Sequence, residues 1–216
     1  MSHYVKFTYA CARSEIPPFD ELVELNACRR KLLELRVVGL DSTGIGFGNL
    51  SVRDGVTGNF YITASATGGL RELSLSDCVR VLDCNFKKNW LQYEGTAIPS
   101  SESLTHAAIY ESDPSTSAVI HCHDLGLWRT LSDRAPTTSK STPYGTPEMA
   151  HEIMRLFKGN DVRKRQIFVM GGHEAGIVTF GKDLEEAFAV LMRERNASSP
   201  CIENGFHERT SARHER

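Results

Sequence analysis

The stretch Ala118–Asp124, "AVIHCHD", sets two imidazoles two residues apart at the end of an apolar run. Residues i and i+2 of a strand project from one face, so His121 and His123 can reach one cation at the ~2.0–2.1 Å typical of Zn–N bonds. Cys122 then points to the opposite face, where a small apolar residue belongs. The bland alternative is that both histidines sit at a strand end and bond to backbone, and for an isolated His-x-His that is the commoner case. A catalytic metal needs a third protein ligand and an open position, so the other six histidines matter.

His3, His207 and His214 lie near the termini and make poor rigid ligands. His151 falls inside a helical pattern, where most histidines face solvent. His173 differs, because "GGHEAG" places it between two β-prone runs with glycines that let the backbone turn tightly. A surface histidine on a glycine-rich hairpin is the alternative there. Glu102, second in "SESLTH", starts the helix just upstream of the His-x-His run. A carboxylate in a helix's first turn is favoured by roughly 0.3–1 kcal/mol, which explains it without any chemistry. The functional alternative is that the helix N-terminus aims Glu102 into the cavity of the histidines, where it shuttles a proton as general base and acid. His106, four residues on, either orients Glu102 or packs. Asp124 either orients a ligand histidine or is the polar end of a strand.

The elements around these residues follow from period and punctuation. Leu22, Leu25, Cys28, Leu32 and Leu35 recur every three or four positions between Pro17-Pro18 and Gly39, which predicts an amphipathic helix. "GFGNLSVRD" and "FYITA", separated by "GVTGN", read as two strands and a turn. "LSLSDCVRVLD" reads as a short helical turn leading into a strand. "SSESLTHAAIYESDP" has capping serines and stops before Pro114, predicting a helix. "SAVIHCHD" is a buried strand, "GTPEMAHEIMRLF" a helix, and "QIFVMGGHEAGIVTFG" a strand pair. "KDLEEAFAVLMRER" opens on Asp183 with Glu186 three residues later, a capping-box spacing. Strands and helices mixed without a βαβ rhythm predict a three-layer α/β/α domain around a mostly antiparallel central sheet. It is expected to be a single domain over residues 1–216, with its core at about 20–195 and a polar tail, expected to be mobile, at 196–216.

Composition excludes several classes. The chain has 216 residues, 40% hydrophobic and 24% charged, with a formal charge of -2. That charge offers no attraction for nucleic acid or an anionic membrane. No run approaches the ~20 apolar residues needed to span a bilayer, and the start lacks a secretory signature. Six cysteines without a C-x-x-C pair are expected to be reduced thiols. The expectation is a cytoplasmic protein.

"GFGNLS", "TASATGG", "SSESLTH", "VIHCHD" and "GGHEAGIVTFG", in this order, resemble the class II aldolase/adducin family over about residues 20–195. Each motif alone is weak, and the ordered set is specific for the family. The resemblance implies that His121, His123 and His173 bind Zn2+, one per chain or another divalent metal in its place. It implies Glu102 as the acid/base of the aldolase members; the epimerases usually have aspartate there. It implies an anion pocket made of Gly48, Asn49, Thr67, Gly68, Ser100 and Ser101. Such a set makes independent sense, since amides, an Asn side chain and hydroxyls by a helix N-terminus form a neutral anion nest. The implied activity is that of a lyase cleaving a small anionic carbonyl substrate, a keto-sugar phosphate or similar, by retro-aldol chemistry through a metal-stabilised enediolate. A homotetramer with sites between subunits is implied as well.

The chain departs from the family in three places. His173 is followed by Glu174 where glycine is usual, adding a carboxylate beside the expected metal. Ala64-Ser65-Ala66 lengthens the segment before Thr67-Gly68, so a reshaped phosphate pocket is expected. The aldolases take a tyrosine from a neighbouring subunit to protonate the leaving aldehyde; Tyr144 is the nearest candidate here, and the region before it is shortened. Fold does not fix chemistry, so a zinc-dependent epimerase, decarboxylase or dehydratase stands as an alternative. A non-catalytic domain like the adducin head is a third reading, and such domains are expected to lack the full histidine set.

Overall fold

The computed structural model describes residues 5–55 and 57–198. The strands are β1 (Thr8–Arg13), β2 (Gly39–Leu40), β3 (Gly46–Phe47), β4 (Asn49–Arg53), β5 (Phe60–Thr63), β6 (Cys78–Asn85), β7 (Trp90–Glu94), β8 (Ala118–His123), β9 (Ile167–Val169) and β10 (Gly176–Gly181). The helices are α1 (Leu22–Glu34), α2 (Ser103–Ser112), α3 (Leu125–Leu131), α4 (Pro147–Lys158), α5 (Asp161–Arg165) and α6 (Leu184–Ser198), with a 3-10 turn at Leu75–Asp77.

Eight strands form one sheet in the order β1-β7-β6-β5-β4-β8-β10-β9, and β2-β3 form a separate small hairpin. Every pairing in the large sheet is antiparallel except β1 with β7. Side chains alternate between the two faces, as strand geometry requires. Ile62, Val79, Val81, Val119 and Val178 bury one face with Leu104, Ala108 and Ile109 of α2 and Met149 and Ile153 of α4. Leu50, Val52, Ile120, Cys122 and Ile177 bury the other with Leu25 and Leu32 of α1 and Ala187, Val190 and Leu191 of α6. The layers are therefore helix, sheet, helix, as the sequence predicts, and Cys122 packs away from the histidines.

Several boundaries differ from expectation for local reasons. The first helix stops at Glu34 rather than running to Gly39. Arg36 takes the left-handed position at φ 57, with Arg36 N–H donating to Leu33 O and Val37 N–H to Leu32 O. That is the double-bonded C-terminal motif usually closed by glycine, here closed by arginine. The "GFGNLSVRD" run is broken into β3 and β4 at Gly48, whose φ of +77 and 2.5 Å clearance to Val38 Cγ1 admit no side chain. Helix α2 begins at Ser103, after both of the serines expected to cap it.

Strands β1 and β7 and helices α3 and α5 were not legible in the sequence. β1 is a largely exposed edge strand held by pairing with β7, and α3 and α5 have only seven and five residues. At α6 the expected capping box is present in altered form. Glu186 N–H donates to Asp183 Oδ1, while the Glu186 carboxylate accepts from Lys182 N–H. The expected polar tail begins inside α6, and residues 199–216 lie outside the described residues, as do His3, His207 and His214.

Candidate metal and acid/base site

Strand β8 lies between β4 and β10 near the middle of the sheet, and His121 and His123 project from its α2-facing side. The loop from β9 to β10 turns back over them. Met170 N–H donates to Gly176 O, Gly176 N–H to His173 O and His173 N–H to Met170 O, so the loop is pinned on itself. A side chain at Gly171 or Gly172 would collide with the carbonyls of Thr138 and Thr142. These glycines therefore serve close approach of the segment leading to Tyr144 as well as the turn.

The result is a cluster in which His121, His123 and His173 each offer a nitrogen within 4.8 Å of the others, the group among the described residues able to hold a metal ion. His123 Nε2 and His173 Nε2 are 2.9 Å apart. Burial holds His123 at about 4 and His173 at about 3, and pushes His121 well below the ordinary histidine range, with neighbouring histidines adding to the last two. All three rings are thus neutral at pH 7, as metal ligation requires. His121 Nε2 is buried with no hydrogen-bond partner. Convergent neutral imidazoles with one stranded lone-pair nitrogen fit a divalent cation, and three protein ligands leave a coordination position open.

Glu102 occupies the N-cap of α2, but its side chain does not cap the helix. It is 2% exposed. Oε2 accepts from Thr105 Oγ1 at 2.5 Å, and Oε1 has no partner. Burial raises the carboxyl to about 7, against the opposing pull of the Thr105 hydrogen bond and the Lys6 charge. Helix-dipole stabilisation cannot account for a carboxylate placed this way, since desolvation outweighs it. His106 does not orient Glu102. Its Nδ1 meets Ser51 Oγ at 2.6 Å, and Ser51 Oγ meets Tyr110 OH at 2.7 Å, so it packs in a buried polar network.

A cavity of about 530 Å3 joins these groups. Its walls include Gly48, Asn49, Thr67, Gly68, Ser100, Ser101, Glu102, His121, His123, Tyr144 and His173, which brings together the expected ligands, the acid/base, the tyrosine and the anion pocket, but not His106, Asp124 or Glu174. The Tyr144 ring lies 4.5 Å from that of His173, centroid to centroid, and Lys6 Nζ sits 3.6 Å above the Tyr144 ring while donating to Tyr144 O. Glu174 is exposed and lies outside both cluster and cavity wall. Asp124 caps α3 by accepting from Leu127 N–H and pairs with Arg195, which resolves its role as structural.

Sequence reading missed Arg29. It is fully buried, and its guanidinium donates to the carbonyls of Thr67, Gly68 and Leu70 at 2.7–3.1 Å. With those carbonyls turned down to Arg29, the Thr67–Gly68 segment is fixed against the β2-β3 hairpin, where a Gly68 side chain would strike Gly46 and Phe47. A signal was present, since position 29 falls on the apolar stripe between Leu25 and Leu32.

The model of the Class II Aldolase and Adducin N-terminal domain matches residues 35–197. The chain belongs to the class II aldolase/adducin family. Solved structures of the fold agree. An L-fuculose 1-phosphate aldolase superposes with a TM-score of 0.64 at 24% identity, covering 85% of this chain and 84% of that one. The L-fuculose-1-phosphate aldolase from Thermus thermophilus gives 0.59 at 18% identity, covering 82% and 90%. A Klebsiella pneumoniae protein, YgbL, whose activity is left open between aldolase, epimerase and decarboxylase, gives 0.61 at 20% identity, covering 87% and 90%. No curated protein matches the sequence with significance. Among the described residues no helix is long and apolar enough to cross a membrane.

Proposed function

We propose that this class II aldolase-family chain is a zinc-dependent lyase that cleaves a keto-sugar phosphate, or a similar anionic carbonyl compound, by retro-aldol chemistry. The observation that carries the reading is the convergence on one cavity of the three-histidine cluster and a buried carboxyl held at about 7. Zinc held by His121, His123 and His173 would supply Lewis acidity to the substrate carbonyl and its adjacent hydroxyl.

Glu102 works from Oε1, the oxygen left without a partner. In the cleavage direction it delivers a proton to the carbon left behind when the carbon–carbon bond breaks; in synthesis it removes that proton. Burial favours the protonated carboxyl in the metal-free protein and a bound cation favours the carboxylate, so the two oppose each other at a group serving as acid and base in one cycle. Tyr144, on the cavity wall beside His173, exchanges the proton of the hydroxyl that becomes the aldehyde oxygen. Gly48, Asn49, Thr67, Gly68, Ser100 and Ser101 hold the anionic group through amides and hydroxyls, and Arg29 keeps the Thr67–Gly68 segment in place. The fuculose-phosphate aldolases of the same fold support a phosphorylated sugar as substrate. A homotetramer belongs to the same proposal, and sedimentation of the full chain tests it.

Protein purified without a histidine tag should carry about one zinc per chain. His121→Ala should remove the zinc from a folded protein, and Glu102→Gln should keep zinc but lose turnover in a panel of sugar phosphates assayed for released dihydroxyacetone phosphate or aldehyde. A Glu102→Gln enzyme with undiminished turnover overturns the acid/base assignment. No zinc uptake by the wild-type chain overturns the enzyme reading and favours the adducin-like one. Substrate consumed without aldehyde release, with an epimer or carbon dioxide formed, moves the assignment to the alternative chemistries.

A further inference from the structure

Strands β4 and β8 pair so that Asn49 stands directly opposite His121. Cross-strand partners in an antiparallel pair project from the same face with Cβ atoms about 4.5–5.5 Å apart, so register alone forces these two side chains together. Asn49 Nδ2 lies 3.3 Å from His121 Nδ1, while Asn49 Oδ1 and His121 Nε2 are both buried without a partner.

With Nδ2 facing Nδ1, the amide donates and the ring must accept, which puts the ring proton on Nε2. A ligand nitrogen needs a lone pair, and Nδ1 is already taken by the asparagine, so His121 has only Nε2 to offer. Its ligating tautomer therefore carries the proton on Nδ1. Rotating the Asn49 amide by half a turn exchanges O for N in the same volume and presents an acceptor to Nδ1–H. We infer that Asn49 is a positioning residue for the metal, accepting from His121 Nδ1–H through Oδ1 and holding Nε2 deprotonated toward His123 and His173. This rests on the metal reading above and adds a role for Asn49 besides its place in the anion pocket.

Zinc affinity measured by competition with a chromophoric chelator tests the inference on the folded full chain, using Asn49→Ala and Asn49→Asp. Loss of a partner that orients a ligand histidine typically weakens binding 10–100-fold, and that is the expectation for Asn49→Ala. Asn49→Asp has the same shape and can only accept, so it should bind zinc at least as tightly as wild type. It also serves should the alanine variant fail to fold. In zinc-loaded protein labelled with 15N-histidine, His121 should show a protonated Nδ1 whose proton exchanges with solvent markedly faster in Asn49→Ala. If Asn49→Ala binds zinc within twofold of wild type and only its affinity for inorganic phosphate falls, the inference is wrong. A tenfold loss in Asn49→Asp overturns it equally. A wild-type chain that takes up no zinc is a different failure, that of the metal reading itself, and is seen before any variant is made.

Discussion

Burial of Glu102 has a thermodynamic signature that needs no substrate. The carboxyl ionises near 4.5 in an unfolded chain and at about 7 in the folded, metal-free protein, because its burial disfavours the charge. Between these values the unfolded chain has released a proton that the folded one retains, so the contribution of Glu102 to stability falls as pH rises. Below 4.5 both states are protonated and above 7 both are ionised, so the whole change lies in that window. At about 1.4 kcal/mol per pH unit the loss approaches about 3 kcal/mol. Glu102→Gln has the same shape and no charge, so it should escape the loss. The assay is urea unfolding of chelator-treated wild type and variant at intervals from pH 4.5 to 8.5. The variant's advantage should open steadily to about 3 kcal/mol by pH 7 and stay flat above it. The histidines titrate in both proteins and cancel in the difference. An advantage that does not change with pH, or a variant that weakens relative to wild type as pH rises, refutes the argument that Glu102 is desolvated.

With His123 at about 4 and His173 at about 3, protons compete poorly for the ligand set. Zinc affinity should be nearly constant from pH 8 down to about 5, whereas three ordinary histidines would lose affinity steeply below about 6.5; competition titrations across that range decide. Replacing Arg29 by Met removes a charged donor from the carbonyls of Thr67, Gly68 and Leu70. The expected cost is about 3 kcal/mol or more, a fall in melting temperature of roughly 6–12 °C; an unchanged melting temperature would contradict the anchoring role.

What the sequence determines here is what short-range geometry dictates. A strand repeats every two residues, so "HCH" puts two imidazoles on one face and Cys122 on the other in any fold that makes it a strand. A helix repeats every 3.6, so α1 was legible as a stripe, although Arg29, standing on that stripe, was passed over. The edge strand β1 was illegible because its side chains are mostly exposed and its stability comes from a neighbour eighty residues away. The site is harder still. Asn49 meets His121 through the register of β4 on β8, His173 arrives by a loop whose glycines yield to the Thr138 and Thr142 carbonyls, and Glu102 acquires its high pKa only when packing takes water from it. None of these is a property of a segment, because each arises from cooperative burial that brings distant parts of the chain together. Residue types and spacings singled out the histidines and the glutamate, and tertiary packing decided their protonation and the cavity they share.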